Sequence, residues 1–196
     1  MMTKTTPRET ARRRATRERL VEAALDLFGR FGIDATSVEQ LCEAAGYTRG
    51  AFYSNFETKD DVCEAVARRM AEECIDACRA SLNSSVGRID LGPVLSQLFE
   101  AAAFGPERRR TMIEMQLRAS REPELAARLE HARSDMWPLL NEVVERAAEQ
   151  ALIGFSIDVD DLLRLCEALY FSPLLAADGA NLKMMTVAIE AFVIER

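Results

Sequence analysis

The chain has 196 residues, a hydrophobic fraction of 48% and a formal net charge of −7, which excludes a disordered chain and allows one large domain or two small ones. Its five cysteines are odd in number and follow no CxxC pattern, so reduced, partly buried thiols are the simplest interpretation. There is no long apolar segment and the N-terminus lacks the apolar core of a signal peptide, so we expect a soluble cytoplasmic protein with no membrane partner.

The first 20 residues form a basic arm. This segment carries seven Lys or Arg residues against two Glu, a net charge of +5, which leaves −12 for the rest of the chain. Such an arm attracts phosphates in a salt-dependent manner or reaches into a minor groove, while the acidic remainder discourages binding through the wrong face. The alternative is a solvated tail without a partner. A first helix is predicted from about Arg13 to Phe31, with its inner side formed by Leu20, Ala24, Leu27, Phe28 and Phe31.

A short helix with its own start and stop signals is predicted next. Ser37 and Gln40 have the spacing of a capping box, and an apolar i, i+3, i+4, i+7 face follows between Val38 and Ala45. Gly46 stands where the chain must turn sharply, since glycine takes a left-handed backbone conformation without steric cost. The helix is therefore expected to end there.

A second short helix is predicted from Arg49 to about Asn55, capped by Thr48. Its inward anchors are Ala51, Phe52 and Phe56. The polar side chains that remain outside are Thr48, Arg49, Tyr53, Ser54 and Asn55. Hydrogen bonds from such groups to phosphates and base edges are what a major groove requires, so the pair is predicted to be a DNA-reading helix-turn-helix. From spacing alone, a helical hairpin in another all-α protein is equally compatible.

The run LVEAALDLFGRFGIDATSVEQLCEAAGYTRGAFYSNFETKDDV, from about Leu20 to Val62, resembles the N-terminal domain of TetR/AcrR-type transcriptional regulators. The features of the family pattern fall on Phe31 and Gly32, Ser37, Leu41 and Cys42, Ala45 and Gly46, Tyr53 and Phe56, and Lys59. Two positions depart from it: Cys42 stands where the family usually has alanine, and Asn55 where histidine is common. The first departure should only adjust packing, while the second leaves one expected phosphate or base contact open.

The resemblance favours a DNA-binding function. The candidate DNA-binding residues are Ser37, Thr48, Arg49, Tyr53, Asn55 and Lys59. As the resemblance implies, Tyr53 and Lys59 are expected on phosphates, assisted by the hydroxyl groups of Ser37 or Thr48. Arg49 and Asn55 are expected on base edges, with Thr48 as a further candidate, since arginine can address guanine and asparagine adenine.

The rest of the chain is predicted to be helical, without a convincing strand. A helix that starts at Thr58 and Asp61 and runs to about Ser81 would link the DNA-reading unit to a second domain, and the Asn, Ser and Gly residues of Leu82 to Ile89 place the junction there. The domains are then 1–82 and 83–196. Further helices are predicted at about Pro93–Phe104, Pro106–Ala119, Pro123–Leu152, Val159–Ala177 and Ala180–Ile194, with distortions at Pro138 and Pro173.

The last two helices are rich in apolar residues, and the first of them is apolar nearly all round, so it must be buried on more than one side. We therefore predict a homodimer with a four-helix interface, in agreement with what the resemblance implies. Its residues would include Leu162, Leu165, Cys166, Leu169, Met185, Ile189 and Phe192. The alternative is a deeply buried core of a monomer.

A small-molecule effector cavity among the central helices is implied by the resemblance. The candidate lining residues are Phe99, Phe104, Met112, Met115, Gln116, Met136, Trp137, Leu140 and Tyr170. Most are large, adaptable apolar groups, while Gln116 and Tyr170 can supply hydrogen bonds. For each of them, ordinary core packing is the competing interpretation.

Other classes of function find little support. The chain has no P-loop, dinucleotide-binding glycine motif or nucleophile elbow, so no enzyme, catalytic residue or cofactor is predicted. Cys74 and Cys78, at i and i+4, could chelate a metal or sense oxidation, but no further soft ligand has a helpful spacing, and no metal site is predicted. We predict an all-α protein, most simply a homodimeric repressor released from a palindromic operator by a small apolar or amphipathic effector. The alternative is a helical effector-binding adaptor that has lost DNA binding.

Overall fold

The computed structural model describes residues 11–84, 106–172 and 180–195. The helices of these ranges are α1 Ala11–Phe31, α2 Val38–Ala45, α3 Arg49–Tyr53, α4 Lys59–Ser84, α5 Pro106–Ala119, α6 Pro123–Ala151, α7 Val159–Tyr170 and α8 Ala180–Phe192. Two short strands, β1 Ile153–Phe155 and β2 Val193–Glu195, complete the described part. The all-α prediction and the N-terminal helix-turn-helix are confirmed.

Most helix boundaries agree with the predicted ones to within three residues. α5 has the predicted bounds, α6 continues through Pro138, and α4 runs three residues past the predicted end at Ser81. The predicted helix Pro93–Phe104, most of the predicted domain junction, and Pro173 lie outside the described residues.

The strands are a correction to the sequence analysis, which predicted none. Leu152 adopts a left-handed conformation with φ 57° and ends α6, and the chain then enters β1, which pairs antiparallel with β2. The backbone N–H of Ser156 donates to the carbonyl of Phe192 at 2.8 Å, so the last helix ends there and not at the predicted Ile194. The β-branched residues that follow each helix favour the extended conformation.

A continuous apolar core unites α1 to α4. Its largest fully buried side chains include Leu20, Phe28, Ile33, Leu41, Phe52, Val62, Val66 and Met70, and Met115 of α5 and Leu125 of α6 reach into it. The predicted inner side of α1 is correct except for Phe31, which is 54% exposed. The chain leaves α1 at Gly32, which has φ 88°, and this turn places Ile33 in the buried position instead.

Two smaller clusters stabilise the second half of the chain. One joins α4 to α6 through Ile75, Leu82 and Val143. The other lies between α7 and α8 and contains the buried residues Leu162, Cys166, Tyr170, Met185 and Ile189. α4 contributes to both the N-terminal core and the first of these clusters, so one continuous helix connects the two parts of the molecule.

Candidate nucleic-acid interface and effector cavity

The predicted start and stop signals of α2 have the expected geometry. The backbone N–H of Gln40 donates to Ser37 Oγ at 3.2 Å, and the backbone N–H of Ser37 donates to Gln40 Oε1 at 2.8 Å, which completes a capping box. Gly46 has φ 73° and ψ 33°, the left-handed conformation that ends the helix. These local bonds fix the angle at which α3 follows α2.

α3 is shorter than predicted and ends at Tyr53. Thr48 caps it by accepting from the N–H of Ala51 at 3.3 Å. Phe52 is fully buried and its ring lies 5.8 Å from that of the buried Phe56. The two aromatic anchors hold α3 against the N-terminal core, so its opposite side faces outward.

Three of the predicted DNA-binding residues share that outward side: Thr48, Arg49 and Tyr53 are all exposed. The Arg49 guanidinium forms an ion pair of 2.6 Å with Glu39 and lies 5.8 Å from the centre of the Tyr53 ring. Ser37 is also exposed at the start of α2. The exposed side of the unit therefore offers hydroxyl groups and a guanidinium, all hydrogen-bond donors.

Asn55 occupies a different position. Its Nδ2 donates to the carbonyl of Ala51 at 2.7 Å, and its Oδ1 is buried without a hydrogen-bond partner among the described residues. Arg17 of α1 donates to the backbone carbonyl of Asn55 at 2.7 Å and lies 4.3 Å from the centre of the Phe56 ring. The structure thus places the half-buried Asn55 at the junction of α1 and α3.

Lys59 is half-buried and binds backbone. Its Nζ donates to the carbonyls of Ile33 at 2.6 Å and Thr36 at 3.1 Å. These bonds attach the beginning of α4 to the connection between α1 and α2. An ammonium group has three donors, so these two bonds leave one N–H.

A polar cleft of about 720 Å³ lies beside α3. Arg13, Arg14 and Arg17 of α1 line it together with Tyr53. Carboxylates, among them Asp61, line the same cleft. Sequence reasoning had assigned these arginines to a general basic arm. Their placement next to α3 follows from the helical conformation of residues from Ala11 onward.

A larger cavity of about 880 Å³ lies among α4, α5, α6, α7 and α8. Six of the nine predicted effector-contact residues line it: Met112, Gln116, Met136, Trp137, Leu140 and Tyr170. Met115 is a correction, because it is fully buried in the N-terminal core on the other face of α5. Phe99 and Phe104 lie outside the described residues.

The polar groups around this cavity are paired with one another. Arg133 and Arg164 lie 4.6 and 5.4 Å from the centre of the Trp137 ring. Arg133 pairs with Glu167 at 3.2 Å, Arg164 pairs with Asp160 at 2.7 Å, and the indole N–H of Trp137 also donates to Asp160. The cavity therefore combines an apolar wall with a rim whose cations are already neutralised.

The comparisons with known proteins agree with this architecture. Residues 20–66 match the sequence model described as "Bacterial regulatory proteins, tetR family". The helix-turn-helix unit is thus a TetR-type domain. The chain is 43% identical over 47 residues to the HTH-type transcriptional regulator AcrR of Shigella flexneri, covering 24% of this chain and 22% of that protein. It is 39% identical over 56 residues to the uncharacterized regulator TtgW of Pseudomonas putida, covering 29% of this chain and 42% of that protein.

These matches thus span less than half the length of the curated relatives. A solved TetR-family structure from Rhodococcus sp. aligns with a TM-score of 0.72 at 16% identity, covering 91% of this chain and 98% of that one. At that identity the likeness shows the shared fold. Among the helices that the structure describes, none has the length and apolar character needed to cross a membrane.

The predicted dimer residues of this chain lie differently from what was expected. Leu162, Cys166, Met185 and Ile189 are buried where α7 packs on α8 of the same chain, and Leu165, Leu169 and Phe192 are half-buried. The exposed apolar positions of α8 are instead Met184, Val187 and Ala191. Both faces are apolar in sequence, so periodicity did not distinguish the one used within the chain.

Polar contacts attach α5 and α6 to the helix-turn-helix unit. Glu114 Oε2 accepts from the N–H of Ile33 at 2.7 Å, at the same connection that Lys59 binds. Arg118 pairs with Asp60 at 3.2 Å and Arg128 pairs with Asp61, both in the first turn of α4. The cavity helices are thereby tied to both ends of the helix-turn-helix.

Proposed function

We propose that this TetR-family protein is a homodimeric, sequence-specific DNA-binding repressor that a small apolar or amphipathic effector releases from a palindromic operator. The observation that carries the proposal is the exposed side of α3, where Thr48, Arg49 and Tyr53 stand on a helix fixed by caps and buried aromatic anchors. The arginines at the start of α1 add positive charge next to it. Rigid placement of donors, with phosphate attraction alongside, is what major-groove recognition requires.

The residues are proposed to divide between base and phosphate contacts. Arg49 and Thr48 would address base edges, and Tyr53 and Ser37 would bind phosphates. Lys59 would use its remaining N–H on a phosphate while its other donors hold the α1–α2 connection.

Asn55, first expected to read a base, is assigned a different role in this proposal. Its amide binds the Ala51 carbonyl, so a base contact would require breaking that bond. We propose that Asn55 instead stabilises the end of α3 and its junction with α1. Base discrimination then depends mainly on Arg49.

The exposed apolar stripe of α8 supports the homodimer. Met184 and Val187 are 41% and 48% exposed, and Ala191 continues the same i, i+3, i+7 row. Packing two copies of this stripe together would bury it and give a two-fold arrangement of DNA-reading units. Such an arrangement reads successive major grooves if the two α3 helices lie about 34–36 Å apart.

The cavity and the DNA-reading unit share α5, which supports effector control. Met112 and Gln116 face the cavity from one side of this helix, while Glu114 binds the α1–α2 connection from the other. An effector that binds more tightly to a form with badly spaced DNA-reading units lowers operator affinity by population shift. Met112→Trp should reduce the response to effector and leave the free protein's affinity for DNA unchanged.

Selection from a random duplex-DNA pool, followed by a salt titration of the enriched site, tests the proposal. We expect a palindrome and a steep loss of affinity with salt. Arg49→Ala should weaken binding and relax base preference, whereas Tyr53→Phe should weaken all sequences alike. A folded dimer that enriches no sequence would overturn the repressor proposal and favour the helical adaptor.

In parallel, Val187→Asp should yield a folded monomer in light scattering, with Glu190→Asp, on the same helix, as the control.

A further inference from the structure

Cys74 and Cys78 form a pair of thiols on α4 beside the cavity. They are four residues apart, so both side chains lie on one face of the helix and are neighbours on it. Cys74 lines the cavity, and Cys78 packs at the edge of the cluster between α4 and α6. Both thiols are half-buried, whereas the other three cysteines of the chain are buried.

The electrostatic environment distinguishes this pair from the other cysteines. A hydrogen bond from Cys74 lowers the pKa of Cys78 and raises that of Cys74. Burial raises the pKa of Cys63 to about 12 and that of Cys166 to about 11. Since the thiolate is the reactive form of cysteine, Cys78 is the thiol best prepared to attack a soft electrophile, with a second thiol next to it.

We propose that Cys74 and Cys78 form a bidentate site for a thiophilic organic ligand, a trivalent organoarsenical, whose organic group enters the cavity. Two adjacent thiols match the two exchangeable positions of such a compound. Each S–H bond is replaced by an S–As bond, and the two protons leave with the arsenic-bound oxygen as one molecule of water. No atom changes oxidation state, so the step needs no oxidant or reductant.

The surroundings favour this ligand over a metal ion. Within residues 11–84, 106–172 and 180–195, no group of three or more His, Cys, Asp or Glu side chains could hold a metal, and a tetrahedral zinc site needs more ligands than this pair supplies. Met70, Met136 and Leu140 provide apolar, adaptable cavity wall for an aryl or alkyl group. The site therefore suits a ligand with two bonds to sulfur and an apolar remainder.

The location on α4 gives the ligand a route to the DNA-reading unit. Val62, Val66 and Met70 of the same helix belong to the N-terminal core, so a group inserted beside Cys74 displaces a helix that both domains share. Release of DNA by the arsenical is the regulatory consequence, and it rests on the proposed function. Binding of the arsenical to the two thiols does not.

Phenylarsine oxide is the probe, applied to the full chain in the presence of excess glutathione. We expect intact-protein mass spectrometry to show one adduct that resists the monothiol and is removed by 2,3-dimercaptopropanol. Trypsin should place the adduct on the peptide Met70–Arg79, which contains both thiols and no other cysteine. An adduct on any other peptide, or one removed by glutathione, would overturn the proposal, and this readout needs no variant.

Cysteine variants then test the bidentate nature of the site. Cys74→Ser and Cys78→Ser should each lower the apparent affinity by about 100-fold or more, because the second bond is no longer intramolecular. Cys166→Ser is the matched control, since Cys166 also lines the cavity but is not half of the pair, and its affinity should not change. If Cys78→Ser binds the arsenical as tightly as the wild type does, the proposed pairing of Cys74 and Cys78 is wrong. A DNA-binding assay run separately distinguishes loss of this site from failure of the repressor proposal.

Discussion

The helix-turn-helix unit and the α7–α8 hairpin are both built from short amphipathic helices, yet they differ in how much of their apolar surface is buried within the chain. In the N-terminal unit Phe28 and Phe52 are at most 1% exposed, and the buried residues of α1 to α4 form one continuous core. In the hairpin Val187 is 48% exposed, and a cavity of about 880 Å³ adjoins the inner face. These surfaces match the proposed roles, since recognition of DNA needs fixed geometry, whereas control by an effector needs space for a ligand and free surface for a partner subunit.

Truncating one apolar side chain in the N-terminal core and one in the cavity wall provides the largest contrast. Phe52→Ala should lower the free energy of unfolding by about 3–5 kcal/mol, because it leaves a void in a fully packed core. Met136→Ala should cost only about 1 kcal/mol, since this side chain is half-buried at an existing cavity and loses few contacts. Urea unfolding followed by circular dichroism measures both.

The order of the two effects is what matters. Equal losses for the two variants would mean that the cavity wall is as tightly packed as the N-terminal core. A loss of less than about 1 kcal/mol for Phe52→Ala would contradict its role as the anchor of α3. Leu152→Ala, at a 60% exposed position, serves as a control for truncation outside both regions.

A close approach between α1 and α5 gives the next prediction. A Cβ atom at Gly29 of α1 would lie 2.8 Å from Cβ of Glu107 and 3.1 Å from its backbone, so Gly29→Ala forces α5 away from α1. We expect a loss of about 1–3 kcal/mol and weaker coupling between cavity and DNA.

Gly50→Ala is the matched control, because the nearest atom to its added Cβ is Thr48 Oγ1 at 3.8 Å. Alanine should stabilise α3 slightly there, by about 0.5–1 kcal/mol. Destabilisation by both substitutions in equal measure would show that the α1–α5 contact is not the cause.

An ion pair between Asp61 and Arg128 links the start of α4 to α6, and pH tests its contribution. Burial opposes the charged form of Asp61, but hydrogen bonds from the backbone N–H groups of Thr58 and Glu57, together with the charge of Arg128, outweigh it and lower the pKa of Asp61. A carboxylate with a lowered folded-state pKa stabilises the protein above its ordinary pKa, and this contribution is lost as pH falls through the folded value.

Asp61→Asn should therefore cost about 1 kcal/mol at pH 7, as loss of a helix cap does. The difference from wild type should shrink as pH falls below about 4, the ordinary pKa of aspartate, and through the lowered folded-state pKa, where the wild-type carboxylate itself becomes protonated. Asp76→Asn, an exposed position in the middle of α4, is the control and should show little difference at any pH. A gap that stays constant with pH would mean that the charge of Asp61 plays no part.

Local signals explain why the N-terminal unit was predictable. The capping box of Ser37 and Gln40, the left-handed Gly46 and the Thr48 cap are all set by residues within four positions of one another, and the structure contains all three. The partners of Lys59 and Asn55 were not predictable in this way. Lys59 binds carbonyls 23 and 26 residues away, and Asn55 is covered by α1, so their surroundings depend on tertiary packing.

The second half depends more on long-range choices, and some placements predicted there, such as that of Met115, were wrong. α7 and α8 each have more apolar surface than one contact needs, and periodicity did not indicate which face pairs within the chain. Met115 and Gln116 are neighbours in sequence, yet one lies in the N-terminal core and the other at the cavity. The β1–β2 pair joins segments about 40 residues apart, and strands of three residues give no periodic signal.

The smallest expected effect on stability concerns the exposed side of α3. Glu39 pairs with Arg49 at 2.6 Å, but both side chains are more than half exposed, and such pairs contribute little to folding. Glu39→Gln should leave the unfolding midpoint unchanged within error.

The same substitution also removes a negative charge facing DNA and frees the Arg49 guanidinium. Affinity for the selected operator should therefore rise at low salt, and the gain should shrink as salt screens the charges. The double variant with Arg49→Ala should lose the part of the gain that comes from freeing the guanidinium. If Glu39→Gln weakens operator binding instead, the ion pair is part of the recognition geometry, and Arg49 reads its base from the paired position.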